Sequence, residues 1–135
     1  GENKIQMFRR SWDMSPAPLK KNSPYHPLNM EIYKEIPKEK IPDSESLKNT
    51  YNRVIPYYQK NIEPLIRNGK NVLISAHGNS LRALCKNLLN ISKKNIPKLE
   101  IPTGNPLLIK FKEDLKILGC NYLDDKRSRN LLVKY

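Results

Sequence analysis

The sequence predicts an α/β fold, and three observations carry that prediction. Leu47, Tyr51, Val54, Ile55, Tyr58, Ile62, Leu65 and Ile66 recur at helical spacing, one apolar stripe sustained over several turns. Val72-Leu73-Ile74-Ser75-Ala76 follows as a continuous apolar run, short enough for a strand buried on both faces. The period then changes again, and Leu81, Leu84, Cys85, Leu88 and Leu89 form a second helical stripe. Helix, strand and helix joined by tight turns build a mostly parallel sheet.

Taken in chain order, residues 1–12 read as the end of a helix, with Ile5, Phe8 and Trp12 on one face. Residues 13–42 hold Pro16, Pro18, Pro24, Pro27, Pro37 and Pro42, each of which removes a backbone donor and fixes φ. They predict an ordered but irregular excursion, of a length that is functional or disordered in a small domain. An α/β core spans 43–122. Asp43-Ser44-Glu45 reads as a helix start, with a capping side chain and an acidic first turn. Pro56 and Pro64 predict kinks in that helix, and Gly69 its C-terminal cap. A short helical turn is expected over 93–98. Leu107–Lys112 and Leu115–Tyr122 read as a terminal pair of strands turning at Glu113-Asp114. The tail, 123–135, is highly charged and reads as a fraying helix.

A chain of 135 residues fits one domain with a modest core, and a mean hydropathy of −0.70 makes that core lean. Cys85 and Cys120 are too far apart for a local metal knuckle, and adding His26 and His77 gives no metal-ligand spacing. No metal site is predicted, and Cys85 reads as a small buried hydrophobe in a reduced compartment. No apolar run approaches the ~20 residues of a membrane span, and no signal-peptide pattern is present. The reading is a cytoplasmic chain without a membrane partner. It begins with Gly1 rather than Met, as a processed or truncated piece does. A formal charge of +12 favours anionic partners. The Lys residues are scattered and not interleaved with aromatics, so nucleic acid is not the predicted partner.

His77-Gly78-Asn79-Ser80 lies at the junction of strand and helix, where open α/β sheets bind ligands. Gly78 would let the backbone turn sharply and approach a ligand, and Asn79-Ser80 would cap the following helix. Free N–H groups at that helix start suit a phosphate, and the imidazole beside them adds a further donor, charged or neutral. The plain alternative is a loop histidine in a three-letter pattern arisen by chance. Arg9-Arg10 could clamp a phosphate and a carboxylate, or be a solvated basic doublet. Arg82 faces either the site or solvent, and its spacing from Asn79 favours a structural or supporting role.

FRRSWD, PAP, IPDSESLKNT, VLISAHGNSLRALCKNL and IPTGNPLLIKF together resemble the C-terminal half of cofactor-dependent phosphoglycerate mutases of the histidine phosphatase superfamily. The resemblance is collinear over about residues 1–120. It implies a three-layer α/β/α sandwich with a mostly parallel sheet. It also implies interconversion of 3-phosphoglycerate and 2-phosphoglycerate through a phosphohistidine primed by 2,3-bisphosphoglycerate. Arg9 and Arg10 match the family's arginines that grip the substrate's phosphate and carboxylate. His77 matches its second active-site histidine, which stabilises the phosphoryl group in transfer, and Gly78 and Asn79 match residues lining that pocket. Family members are commonly dimers or tetramers, so a homo-oligomer is implied.

The departures matter as much. The family's Arg-His-Gly nucleophile motif is absent, and His26, in a proline-rich loop with no Gly after it, is no substitute. The acid/base glutamate belongs to the same absent half, and Glu2 does not match it. Trp12 stands where the family usually has tyrosine, and the short tail puts the family's C-terminal lid in doubt. The expectation is a fragment inactive by itself, with an apolar sheet edge left exposed at 72–76. Competing readings are a bisphosphoglycerate mutase or phosphatase sharing this half-site, a pseudoenzyme in a longer chain, and a non-catalytic basic anion-binding fragment.

Overall fold

The computed structural model describes Ile5, Met7, Phe8 and residues 11–128. Helix α1 (Leu47–Tyr57) packs against helix α3 (Gly78–Leu88), and a hairpin of β1 (Leu107–Phe111) and β2 (Ile117–Tyr122) closes the core. Between α1 and α3 lie a π-helical turn, Tyr58–Ile62, and the single turn α2 (Glu63–Arg67).

Helix α1 starts just after its acidic run rather than within it, at Leu47. Ser46 is the N-cap, its hydroxyl accepting from Asn49 N while Ser46 N donates to Asn49 Oδ1. Glu45 is thereby free to accept from both Thr50 and Arg53. The expected disruption at the prolines takes the form of the π turn between Pro56 and Pro64. Glu63 N donates to Tyr58 O there, and the widened ring makes room for Pro64, which would otherwise collide with the carbonyl four residues back. Gly69, at φ +73°, ends the segment as expected, with Lys70 N reaching Leu65 O. The stripe buries Leu47, Ile55 and Tyr58 and half-buries Tyr51, Val54, Ile62 and Ile66, whereas Leu65 faces solvent.

Trp12, Leu47, Ala83, Cys85, Ile91, Ile96, Leu99, Cys120 and Tyr122 form the main core. Trp12 meets Tyr51 edge-on at 5.4 Å, and Lys86 Nζ lies 4.8 Å above the indole. The terminal strand pair forms as predicted and is antiparallel. Phe111 faces Ile117 while Lys110 faces Gly119, so Leu118 is one extra residue, a bulge beside the turn. This hairpin is the whole sheet among the described residues. The run 72–76 pairs with no described strand, and Leu73 is 92% exposed, so burial on both faces is not met. A parallel strand needs partners from distant sequence, and the hairpin satisfies itself locally. Only Ile74 packs inward, against the Ile55–Tyr58–Leu84 cluster.

The proline-rich excursion is ordered around three single 3-10 turns, Pro27–Asn29, Glu31–Tyr33 and Lys38–Lys40. His26 is fully buried within it. Its Nδ1 accepts from Leu28 N, which leaves the ring proton on Nε2, 3.2 Å from Asp43 Oδ1. The charged tail begins as a 3-10 turn, Lys126–Ser128, and the rest of the expected fraying helix, 129–135, lies outside the described residues.

Candidate functional site

The start of helix α3 gathers three of the five residues expected to form a site. His77 is the N-cap, in extended conformation at φ −60° and ψ 145°, and its carbonyl accepts the first helical bond from Leu81 N. Its Nδ1 also accepts from Asn79 N, at 3.4 Å. The imidazole therefore does the capping expected of Asn79-Ser80, because the helix begins at Gly78, immediately after the apolar run. An accepting Nδ1 puts the neutral ring's proton on Nε2, so the exposed side chain keeps one donor for a ligand.

Gly78 occupies a helical position, and its φ is outside the left-handed region, so no sharp turn requires it. The space beside it is open, and a methyl added there would meet nothing within 4 Å, so no described atom requires glycine at this position. Backbone N–H groups of the first turn have no carbonyl four residues behind them, and the positive end of the helix dipole lies here. Asn79 does not cap with its side chain. Its Oδ1 instead accepts from Arg82 Nη1 at 3.2 Å, and Arg82 Nη2 donates to Ile96 O at 2.9 Å. Arg82 is 7% exposed, so a full positive charge is held just behind the helix start.

Arg9 and Arg10 lie outside the described residues. His26 is apart from this cluster, locked in the excursion with both ring nitrogens engaged, consistent with its reading as no nucleophile. The thiols are likewise structural: burial pushes Cys85 up to about 12 and Cys120 up to about 11. Among the described residues no three His, Cys, Asp or Glu side chains gather as metal ligands would, and no helix is long and apolar enough to cross a membrane. The three-residue spacing of Arg82 from Asn79 pointed to a supporting role, and the two side chains are hydrogen-bonded, while the bond from Arg82 to Ile96 O had no signal in the sequence.

An exposed imidazole, an open backbone and a helix start backed by a buried guanidinium are gathered at one end of α3, a donor set of the kind that suits anions. The model of one family, the histidine phosphatase superfamily (branch 1), matches residues 15–120. The chain belongs to the histidine phosphatase superfamily. This superfamily chain is 59% identical over 133 residues to a 2,3-bisphosphoglycerate-dependent phosphoglycerate mutase of Pelagibacter ubique (strain HTCC1062), covering 98% of the chain and 56% of that relative. Proteins of the same name from Maricaulis maris (strain MCS10) and Hyphomonas neptunium (strain ATCC 15444) are 43% and 45% identical, covering 97% of the chain and 54% of each relative. The chain spans about half the length of the curated relatives it matches.

Proposed function

We propose that this chain supplies the phosphoryl-stabilising half of a 2,3-bisphosphoglycerate-dependent phosphoglycerate mutase site, which interconverts 3-phosphoglycerate and 2-phosphoglycerate. The observation that carries the reading is His77, Gly78 and Asn79 converging on an open helix start. A phosphoryl group in transfer spreads charge over its peripheral oxygens, and pre-placed donors are what stabilise it. In this reading His77 Nε2–H donates to one such oxygen, and first-turn N–H groups other than that of Asn79, which caps onto His77 Nδ1, face the others. His77 holds charge in place and does not carry the phosphoryl group. Arg9 and Arg10 grip the substrate's phosphate and carboxylate.

The donor set at the α3 start fits a phosphate of 2,3-bisphosphoglycerate, and His77, Gly78 and Asn79 would hold it. When bound, that molecule supplies the phosphoryl group that primes the enzyme. The reading calls for no metal. Neither histidine of the chain stands in an Arg-His-Gly motif, so the nucleophile and the acid/base carboxylate come from outside these residues. The same absent residues would complete the three-layer sandwich, supplying the parallel strands that 72–76 needs as neighbours. The assembled enzyme is then a soluble cytoplasmic dimer or tetramer whose partners are small phosphorylated acids.

Incubating the purified chain with 3-phosphoglycerate tests this reading. Binding without turnover is expected, and His77→Ala should weaken binding about tenfold, the loss of one charge-assisted bond of about 1.5 kcal/mol. Conversion to 2-phosphoglycerate by this chain alone would show that the nucleophile is within it. Release of inorganic phosphate would favour the related phosphatase reading.

A further inference from the structure

We infer that Arg82 is a positioning residue: it fixes which end of the Asn79 amide faces the ligand. This rests on reading the α3 start as a phosphate pocket and adds a residue to it.

Burying a guanidinium is unfavourable unless its donors are well placed, and a Leu or Met in this lean core would avoid the difficulty. Arg82 is nonetheless 7% exposed, in a turn of α3 whose Ala83, Leu84 and Cys85 are buried as well. Two of its contacts explain what the charge does there. Nη2 donates at 2.9 Å to the carbonyl of Ile96, a residue wholly buried in the main core. Nη1 donates at 3.2 Å to Asn79 Oδ1, one helical turn back. The guanidinium thus ties an exposed side chain at the site to the interior of the molecule.

The orientation follows from donor chemistry. A guanidinium has donors and no acceptor, so the atom of Asn79 facing it must be oxygen. The NH2 end is then turned the other way, presenting two N–H donors on the exposed side of the helix start. An untethered asparagine would sample both flips and several rotamers, and an amide oxygen turned toward phosphate repels it. Arg82 removes those states. Binding weakens by the fraction of time the competent state is lost, so losing the tether should raise Kd about five- to tenfold. Lysine cannot replace it, because one ammonium on a flexible stem does not hold the forked pair of bonds in place.

The test follows the side-chain amide of Asn79 by 15N–1H NMR in the full chain, with titrations of inorganic phosphate and of 3-phosphoglycerate. In the wild type, the Asn79 Nδ2 protons should give one sharp, displaced pair that moves on adding either anion. In Arg82→Met that pair should collapse toward the position of a free asparagine, Kd should rise about five- to tenfold, and Arg82→Lys should recover less than half of the loss. In an Asn79→Ala background Arg82→Met should change Kd no further, since its effect passes through Asn79. Should Arg82→Met not fold, Asn79→Asp decides: it keeps an acceptor for Arg82, so thermal stability holds, but it lacks the donors, so binding falls at least as far as in Asn79→Ala. An Arg82→Met that folds and leaves the Asn79 resonances and Kd unchanged overturns the inference, as does an Asn79→Asp that binds like wild type. A wild-type chain that binds neither anion overturns the pocket reading itself, and the role of Arg82 with it.

Discussion

Two apolar runs of similar length meet opposite fates in this molecule. Leu107–Phe111 pairs with Ile117–Tyr122 across a short turn, and its Leu107 and Ile109 pack against the main core. Val72–Ala76 has equally good strand residues and pairs with no described strand, leaving Leu73 92% exposed. The difference is one of distance along the chain. A hairpin finds its partner a few residues away, whereas a strand of a parallel sheet depends on residues far off. Among the described residues the hairpin is therefore packed on the core, and the run 72–76 is an unpaired, largely exposed edge.

Thiol chemistry separates the two regions most widely. At pH 8 the native Cys85, held at about 12 by burial, has on the order of one thiolate in ten thousand, and no access to reagent. A cysteine introduced as Leu73→Cys stands in solvent with an ordinary thiol. We expect it to react with a disulfide reagent at least about a thousandfold faster than Cys85 or Cys120, which should react only on unfolding. The same substitution should change stability by less than about 0.5 kcal/mol in this chain. Comparable rates at the three thiols would mean that the packed core opens as readily as the edge.

Truncation in the core comes next. Leu99 is wholly buried against the hairpin and α3, so Leu99→Ala should lower unfolding free energy by about 2–5 kcal/mol, read as a shifted urea midpoint at constant slope. A loss below about 1 kcal/mol would place Leu99 in a site that collapses freely.

The smallest effect belongs to the Glu45–Arg53 pair beside α1. The hydrogen bond from Arg53, with help from Thr50, holds the Glu45 carboxyl below its ordinary value of 4.5 despite partial burial. A carboxylate whose pKa is lowered by folding contributes stability in full above its unfolded value. That contribution is lost as pH falls below about 4.5, through the lower folded pKa. Arg53→Ala should flatten that part of the stability-against-pH curve, lowering stability above about pH 4.5 by about 1 kcal/mol or less and leaving the acid end nearly unchanged. A pair this exposed that moved stability at neutral pH as much as Leu99→Ala would make the edge of α1 part of the core.

Most of what could be read in the sequence was local. Helical spacing located α1 and α3, and the glutamate–aspartate turn located the hairpin. Gly69 marked its cap because only a residue without Cβ settles easily at φ +73°. Three features lay beyond that logic. The cap of α3 is His77 itself, a role for which serine or asparagine is the usual signal. His26 is buried in a stretch with no apolar period, so nothing in the pattern foretold an interior histidine. Arg82 was legible as a supporting residue from its spacing to Asn79, but not its burial among apolar neighbours. Each depends on a contact between side chains and backbone that periodicity does not encode. At the site, the positions of His77, Gly78 and Asn79 were legible, and the tie from Asn79 to the core was not.

The anchoring of the proline-rich excursion bears on how the chain tolerates changes of length. Its first part is fastened repeatedly: Lys48 N to Trp12 O, Ser44 Oγ to Pro16 O, and Asn29 Nδ2 to both Lys21 O and Ser23 O, with His26 at the centre. After Met30 the chain holds itself in isolated turns, and Ile32 stands 80% exposed. An extra residue near His26 would pull a buried ring from its two partners, whereas one near Lys38 would lengthen a surface turn. Insertions and deletions across relatives should therefore collect between Met30 and Pro42, and the knot before it should keep its length.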